Sequence, residues 1–195
     1  MEVKRVMVIG AGQMGSGIAQ VCAQAGYDVI MHDVKEEAAK KGLERINRLL
    51  QRNVEKGRMT EEEKTETLQR IALTSDLQEA HDADVVIEAV VEDMEVKTKV
   101  FQELDNIVPD HGILASNTSS LPITEIAAVT KRPEQVIGMH FMNPVPDMKL
   151  VEIIRGLQTS DETYATIREM TNTLNKTPVE VNDFPGFVSN RILMP

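Results

Sequence analysis

The stretch VMVIGAGQMGSGIAQ, residues 6–20, constrains the fold more than any other part of the chain. Val6–Ile9 is a short apolar run rich in β-branched residues, the mark of a buried strand. It ends on Gly10, and Gly10, Gly12 and Gly15 follow as G-x-G-x-x-G at the head of a helical pattern. In such a strand–turn–helix the first glycine permits the tight turn, and the second lets the backbone approach a pyrophosphate. The third lets helix and strand pack closely. Phosphates at the turn meet free N–H groups and the positive end of the helix. Gln13 and Met14 lie within the same candidate loop. Asp33 closes the next apolar run, roughly 20 residues further on, where an acid accepts hydrogen bonds from the adenosine ribose and repels a 2′-phosphate. The pattern points to NAD rather than NADP, although Lys35 lies close by.

The same alternation continues along the chain. Apolar runs at Val6–Ile9, Val29–Met31, Asp84–Val90, Gly112–Ala115 and Val136–Met139 read as buried strands, separated by helical patterns at 15–26, 36–56, 60–70, 94–108 and 122–129. This predicts an α/β fold of the Rossmann type, a doubly wound and mostly parallel sheet covered on both faces. Two helical stretches flank Gly57 and predict an inserted helical hairpin. After residue 140 the rhythm changes to strand 149–154, helix 161–175 and strand 178–181.

The composition excludes several function classes. Aromatics are 3% of 195 residues and Trp is absent, so base-stacking surfaces are not expected. The net charge of −10 disfavours nucleic acid and anionic membranes as partners. An anionic ligand must then be met by local cations. No apolar run approaches the roughly 20 residues needed to span a bilayer. The N-terminus enters a strand at once, so no signal peptide is expected and a cytoplasmic location is. Cys22, the single cysteine, falls in a small-residue helical run and reads as a buried structural thiol. No metal site is expected, and His32, His81 and His111 read as surface or capping residues.

In MHFMNPVPDMKLVEII, His140 and Glu152 stand at the ends of two apolar runs joined by a Pro-rich loop. Paired strands could bring them side by side, and a carboxylate on one imidazole nitrogen fixes the tautomer and raises the basicity of the other. That suits a group taking a proton from a hydroxyl while hydride leaves the same carbon. Spacing alone equally allows an exposed surface pair.

The segments GAGQMG, IEAVVEDMEVK, SNTSSLPI, HFMNPV, KLVEII and PGFVSNR, in this order, closely resemble the L-3-hydroxyacyl-CoA dehydrogenase family over essentially the whole chain. The resemblance implies hydride transfer between NAD and carbon 3 of a short-chain acyl-CoA. It makes His140 the base, Glu152 its orienting partner, and Ser119 and Asn190 contacts of the substrate oxygen. It places Ser119 and Asn143 beside the nicotinamide, and Glu92 and Lys97 near the cofactor ribose. It also implies that residues 1–183 are the NAD-binding domain and that 184–195 open a C-terminal helical domain. In the family that domain forms the dimer interface and one wall of the substrate site, so a homodimer is expected of the longer protein. Two other readings stay open: a dehydrogenase of a free hydroxy acid such as L-gulonate, and an NAD-binding domain with weak or no turnover of its own because the C-terminal domain is missing.

Arg45, Arg48, Arg52 and Lys56 recur on one helical face, opposite Leu43, Ile46, Leu50 and Val54. Basic stripes are commonly just solvated. The resemblance assigns Lys56 and Arg52 to the coenzyme A part of the substrate. The closing stretch FPGFVSNRILMP repeats apolar residues at helical spacing (Phe184, Phe187, Val188, Ile192), with Asp183 as a possible N-cap.

Overall fold

The computed structural model describes residues 1–183, so Asn190 and the stripe of Phe184, Phe187, Val188 and Ile192 lie outside the described residues. Strand β1 (Arg5–Ile9) leads through helix α1 (Gln13–Gln24) to β2 (Asp28–His32). Helices α2 (Glu36–Glu55) and α3 (Glu61–Gln69) then carry the chain to β3 (Ile71–Thr74). The alternation resumes with β4 (Val85–Glu88), α4 (Met94–Ile107), β5 (Ile113–Ser116), α5 (Ile123–Ala128) and β6 (Val136–Phe141). It ends with β7 (Leu150–Arg155), α6 (Asp161–Thr173) and β8 (Thr177–Asn182).

The strands form one sheet in the order β3-β2-β1-β4-β5-β6-β7-β8. Among the described residues only β6 and β7 pair antiparallel; the other neighbours are parallel. Period-two alternation divides the core between the two faces of the sheet. Val6, Val8, Val85, Ile87, Ile113 and Ala115 join α1 and α2 on one side, while Met7, Ile9, Val86 and Leu114 join α4 and α5 on the other. Because the order reverses direction at β1 and β4, a crevice opens beyond their C-terminal ends, where doubly wound sheets take their ligands.

The helical hairpin is present, with Thr60 and Glu63 forming a reciprocal capping box at the start of α3. It serves as the crossover from β2 to β3, an edge strand that the sequence pattern does not announce. Only Ile71 of β3 is buried, so its four residues carry no alternation to read. Asp183 caps α5: its carboxylate accepts from Ile123 N at 2.9 Å, Thr124 N at 2.8 Å and Thr124 Oγ1 at 2.6 Å. Cys22 is fully buried, and burial pushes its thiol up to about 12, which makes it inert as expected.

Candidate active site

The glycine loop joins β1 to α1 beneath the crevice. A Cβ on Gly15 would stand 1.8 Å from the Gly10 carbonyl oxygen, and one on Gly10, whose φ is +103°, would stand 2.6 Å from Ala89 O. These two glycines are needed for packing alone. At Gly12, by contrast, a Cβ would meet nothing within 4 Å. The Gly12 position is exposed, and no side chain of the described residues caps the α1 N-terminus. An open approach to uncapped N–H groups fits a dinucleotide pyrophosphate. Met14 is partly buried against the core, whereas Gln13 is exposed.

Asp33 stands beyond the end of β2, where its Oδ2 accepts from Ala11 N at 3.1 Å and its Oδ1 from Lys35 N at 3.2 Å. It lines a cleft of about 620 Å³ together with Gly12, Val34, Val91 and Val96. Val34 and Val91 are strongly exposed there, giving an apolar flank beside the carboxylate. His32 lines the same cleft and departs from the expected surface role, being only 4% exposed. Its position at the end of an interior strand buries it, and its Nδ1 has no hydrogen-bond partner among the described residues. Burial pushes its pKa down against the pull of Asp33, which keeps the ring neutral at pH 7. His111 Nε2 meets Asp84 Oδ1 at 2.9 Å, and His81 caps locally on Gln78 O.

The candidate acid–base pair spans β6 and β7, inside the edge strand β8. Antiparallel pairing sets His140 of β6 directly across from Glu152 of β7. His140 Nδ1 lies 3.3 Å from Glu152 Oε1, with Glu152 1% and His140 7% exposed. The geometry is that of a buried oriented imidazole, and it removes the exposed-pair alternative. Asn117 Oδ1 accepts from Phe141 N at 2.8 Å and fastens the end of β6 to β5. This asparagine, inside the SNTSS run, carries a positioning role that the sequence pattern did not single out.

Glu92 is joined to Ser119 twice, accepting from its backbone N and its Oγ, each at 2.7 Å, and to Thr118 Oγ1 at 2.7 Å. Lys97 lies behind Glu92 rather than at the open cleft: it is 1% exposed, bonded to Glu88 Oε2 at 2.5 Å and 3.6 Å from Glu92 Oε1. Glu88 is fully buried, accepting also from Ser116 Oγ at 2.6 Å and Val90 N at 2.7 Å. Burial raises the Glu92 pKa, but hydrogen bonds from Thr118 and Ser119 and the Lys97 charge outweigh it, holding the carboxyl below its ordinary value. Its stabilising contribution is therefore complete above the ordinary glutamate range and is lost as pH falls through the lowered value. Glu92→Gln is expected to flatten the acid limb of stability against pH in urea titrations; an unaltered limb would contradict this.

Asn143 follows β6, and its Oδ1 accepts from Gln13 Nε2 at 3.1 Å. The loop leading from β6 thus touches the head of α1. On α2, Ile46 and Leu50 are buried while Arg48, Arg52 and Lys56 are exposed. Arg45 leaves the stripe and donates to Ser16 Oγ at 3.1 Å. The basic face therefore starts against the head of α1 and continues to Lys56.

Residues 5–184 match the family model described as 3-hydroxyacyl-CoA dehydrogenase, NAD binding domain. The chain is 61% identical over 195 residues to the probable 3-hydroxybutyryl-CoA dehydrogenase of Bacillus subtilis (strain 168), covering 100% of this chain and 68% of that protein. It is 50% identical over 193 residues to the 3-hydroxybutyryl-CoA dehydrogenase of Bradyrhizobium diazoefficiens, covering 99% and 66%. Among solved structures, (S)-3-hydroxybutyryl-CoA dehydrogenase from Ralstonia eutropha superposes with a TM-score of 0.97 at 46% identity, covering 98% of this chain and 68% of that one. The chain spans about two thirds of the length of these relatives.

Proposed function

We propose that this chain, which belongs to the 3-hydroxyacyl-CoA dehydrogenase family through its NAD-binding domain, catalyses reversible oxidoreduction at carbon 3 of a short-chain 3-hydroxyacyl-CoA. The observation that carries the reading is the buried His140–Glu152 pair, with His140 on the strand whose following loop meets the head of α1. The Gly10–Gly15 turn and Asp33 would hold NAD, which when bound would supply the hydride chemistry. The proton is the task of His140. In the reducing direction the imidazolium gives a proton from Nε2 to the substrate oxygen; in the oxidising direction neutral Nε2 takes the hydroxyl proton. Glu152, at Nδ1, holds the tautomer and stabilises the imidazolium. Ser119, held by Glu92, orients the substrate oxygen, and Asn190, outside the described residues, is assigned the same task.

Comparing NAD-linked turnover of 3-hydroxybutyryl-CoA with that of free hydroxy acids tests the reading. Preference for the thioester is expected; faster turnover of a free acid would overturn it. The exposed cations Arg52 and Lys56 are assigned to coenzyme A. Lys56→Ala is expected to raise KM for acyl-CoA several-fold, about 1 kcal/mol for one exposed charge, with KM for NADH unchanged. Equal effects on both would exclude this role. The reading extends to a cytoplasmic location and to a homodimer of the full-length protein through the C-terminal helical domain. Among the described residues no helix is long and apolar enough to cross a membrane.

A further inference from the structure

At the end of α6, Leu174 caps the helix, Asn175 adopts φ +59°, and Lys176 N returns to Thr171 O at 3.2 Å. This left-handed turn sends the Lys176 side chain into the protein, where the residue is 8% exposed. Its Nζ donates to Val145 O at 2.5 Å and Met148 O at 2.7 Å, two carbonyls of the loop between β6 and β7. A residue needed only to fill space would be aliphatic, because burying an ammonium carries a desolvation cost. The cost shows in a pKa pushed below the usual lysine range by burial and by Lys149, against the opposing pull of Asp147.

The loop held by Lys176 touches the cofactor helix at two points. Val145 is buried against Gly17 of α1 so closely that a Cβ on that glycine would stand 2.8 Å from Val145 Cβ. Asn143 bonds Gln13 at the head of the same helix. Withdrawing the two charge-assisted bonds leaves both carbonyls unsatisfied and lets the segment that presents Asn143 move. We propose that Lys176 is a positioning residue for the nicotinamide end of the cofactor site, acting through the 143–148 loop and Asn143. The inference rests on the dehydrogenase reading given above.

The test separates the two ends of the cofactor. NADH and ADP-ribose, which lacks nicotinamide, are titrated by calorimetry into the wild-type chain, Lys176→Met, Asn143→Ala and the double variant. Lys176→Met is expected to weaken NADH by about tenfold, the scale of one charge-assisted hydrogen bond, and to leave ADP-ribose unchanged. Because both residues act on one contact, the double variant should be little worse than Asn143→Ala. If Lys176→Met does not fold, Lys176→Gln, whose amide can still donate but carries no charge, is expected to weaken NADH by a smaller factor, with ADP-ribose again unchanged. Unchanged NADH affinity, equal loss of both ligands, or fully additive losses would overturn the inference while leaving the dehydrogenase reading intact. A wild-type chain that binds ADP-ribose but not NADH would overturn the reading itself, and the inference with it.

Discussion

His140→Gln is expected to lower turnover of acetoacetyl-CoA by a factor on the order of 10²–10⁴, the contribution of a positioned general acid–base, while NADH binding survives. The separation of effects follows from the geometry. His140 sits on β6, directly across from Glu152 of β7, to which its Nδ1 is hydrogen-bonded. A glutamine amide can still donate to the buried Glu152 Oε1, so the carboxylate is not stranded and the two strands keep their register. What disappears is the imidazole that gives and takes the substrate proton. Steady-state rates together with an NADH titration check the prediction. Near-normal kcat would remove His140 from the chemistry, and loss of NADH binding would show that the substitution had disturbed the domain.

Lys97→Met is expected to destabilise the domain by about 3–5 kcal/mol, the cost of leaving a buried charge without its partner. Glu88 and Lys97 are 0% and 1% exposed, and Lys97 alone brings a positive charge to the buried Glu88 carboxylate among the ion pairs of the described residues. Ser116 Oγ and Val90 N would remain as hydrogen-bond donors, too few to replace an ammonium. Urea unfolding measures the loss directly. Adding Glu88→Leu should recover most of it, because the stranded charge then goes as well. A single-variant loss below about 1 kcal/mol, the value of an exposed pair, would show that the pair is solvated in solution.

Residues whose signal is local could be read from the sequence. The glycine turn follows directly from an apolar run, and the structure gives steric reasons for Gly10 and Gly15, while Gly12 faces open space. The His140–Glu152 contact was legible as a possibility because the pair flanks one loop between two strands, although spacing could not tell a buried pair from an exposed one. Long-range placements were not legible. Lys97 occupies an amphipathic helix where a lysine ordinarily faces water, and Glu88 merely ends an apolar run; only the fold brings them together. Strand β3 went unread because a single buried residue has no period. His32 was misread because its burial depends on the strands and cleft walls packed around it. Asp183 caps a helix some 60 residues earlier in the chain, a pairing that no local pattern contains.

The most direct measurement of the central claim follows the hydride. NADH carrying deuterium at the transferable position of the dihydronicotinamide is incubated with the protein and acetoacetyl-CoA, and the product is examined by NMR. The expected product is 3-hydroxybutyryl-CoA with deuterium on carbon 3 and a hydroxyl proton drawn from solvent. Deuterium at another carbon, or a reduced product with none on carbon 3, would contradict it.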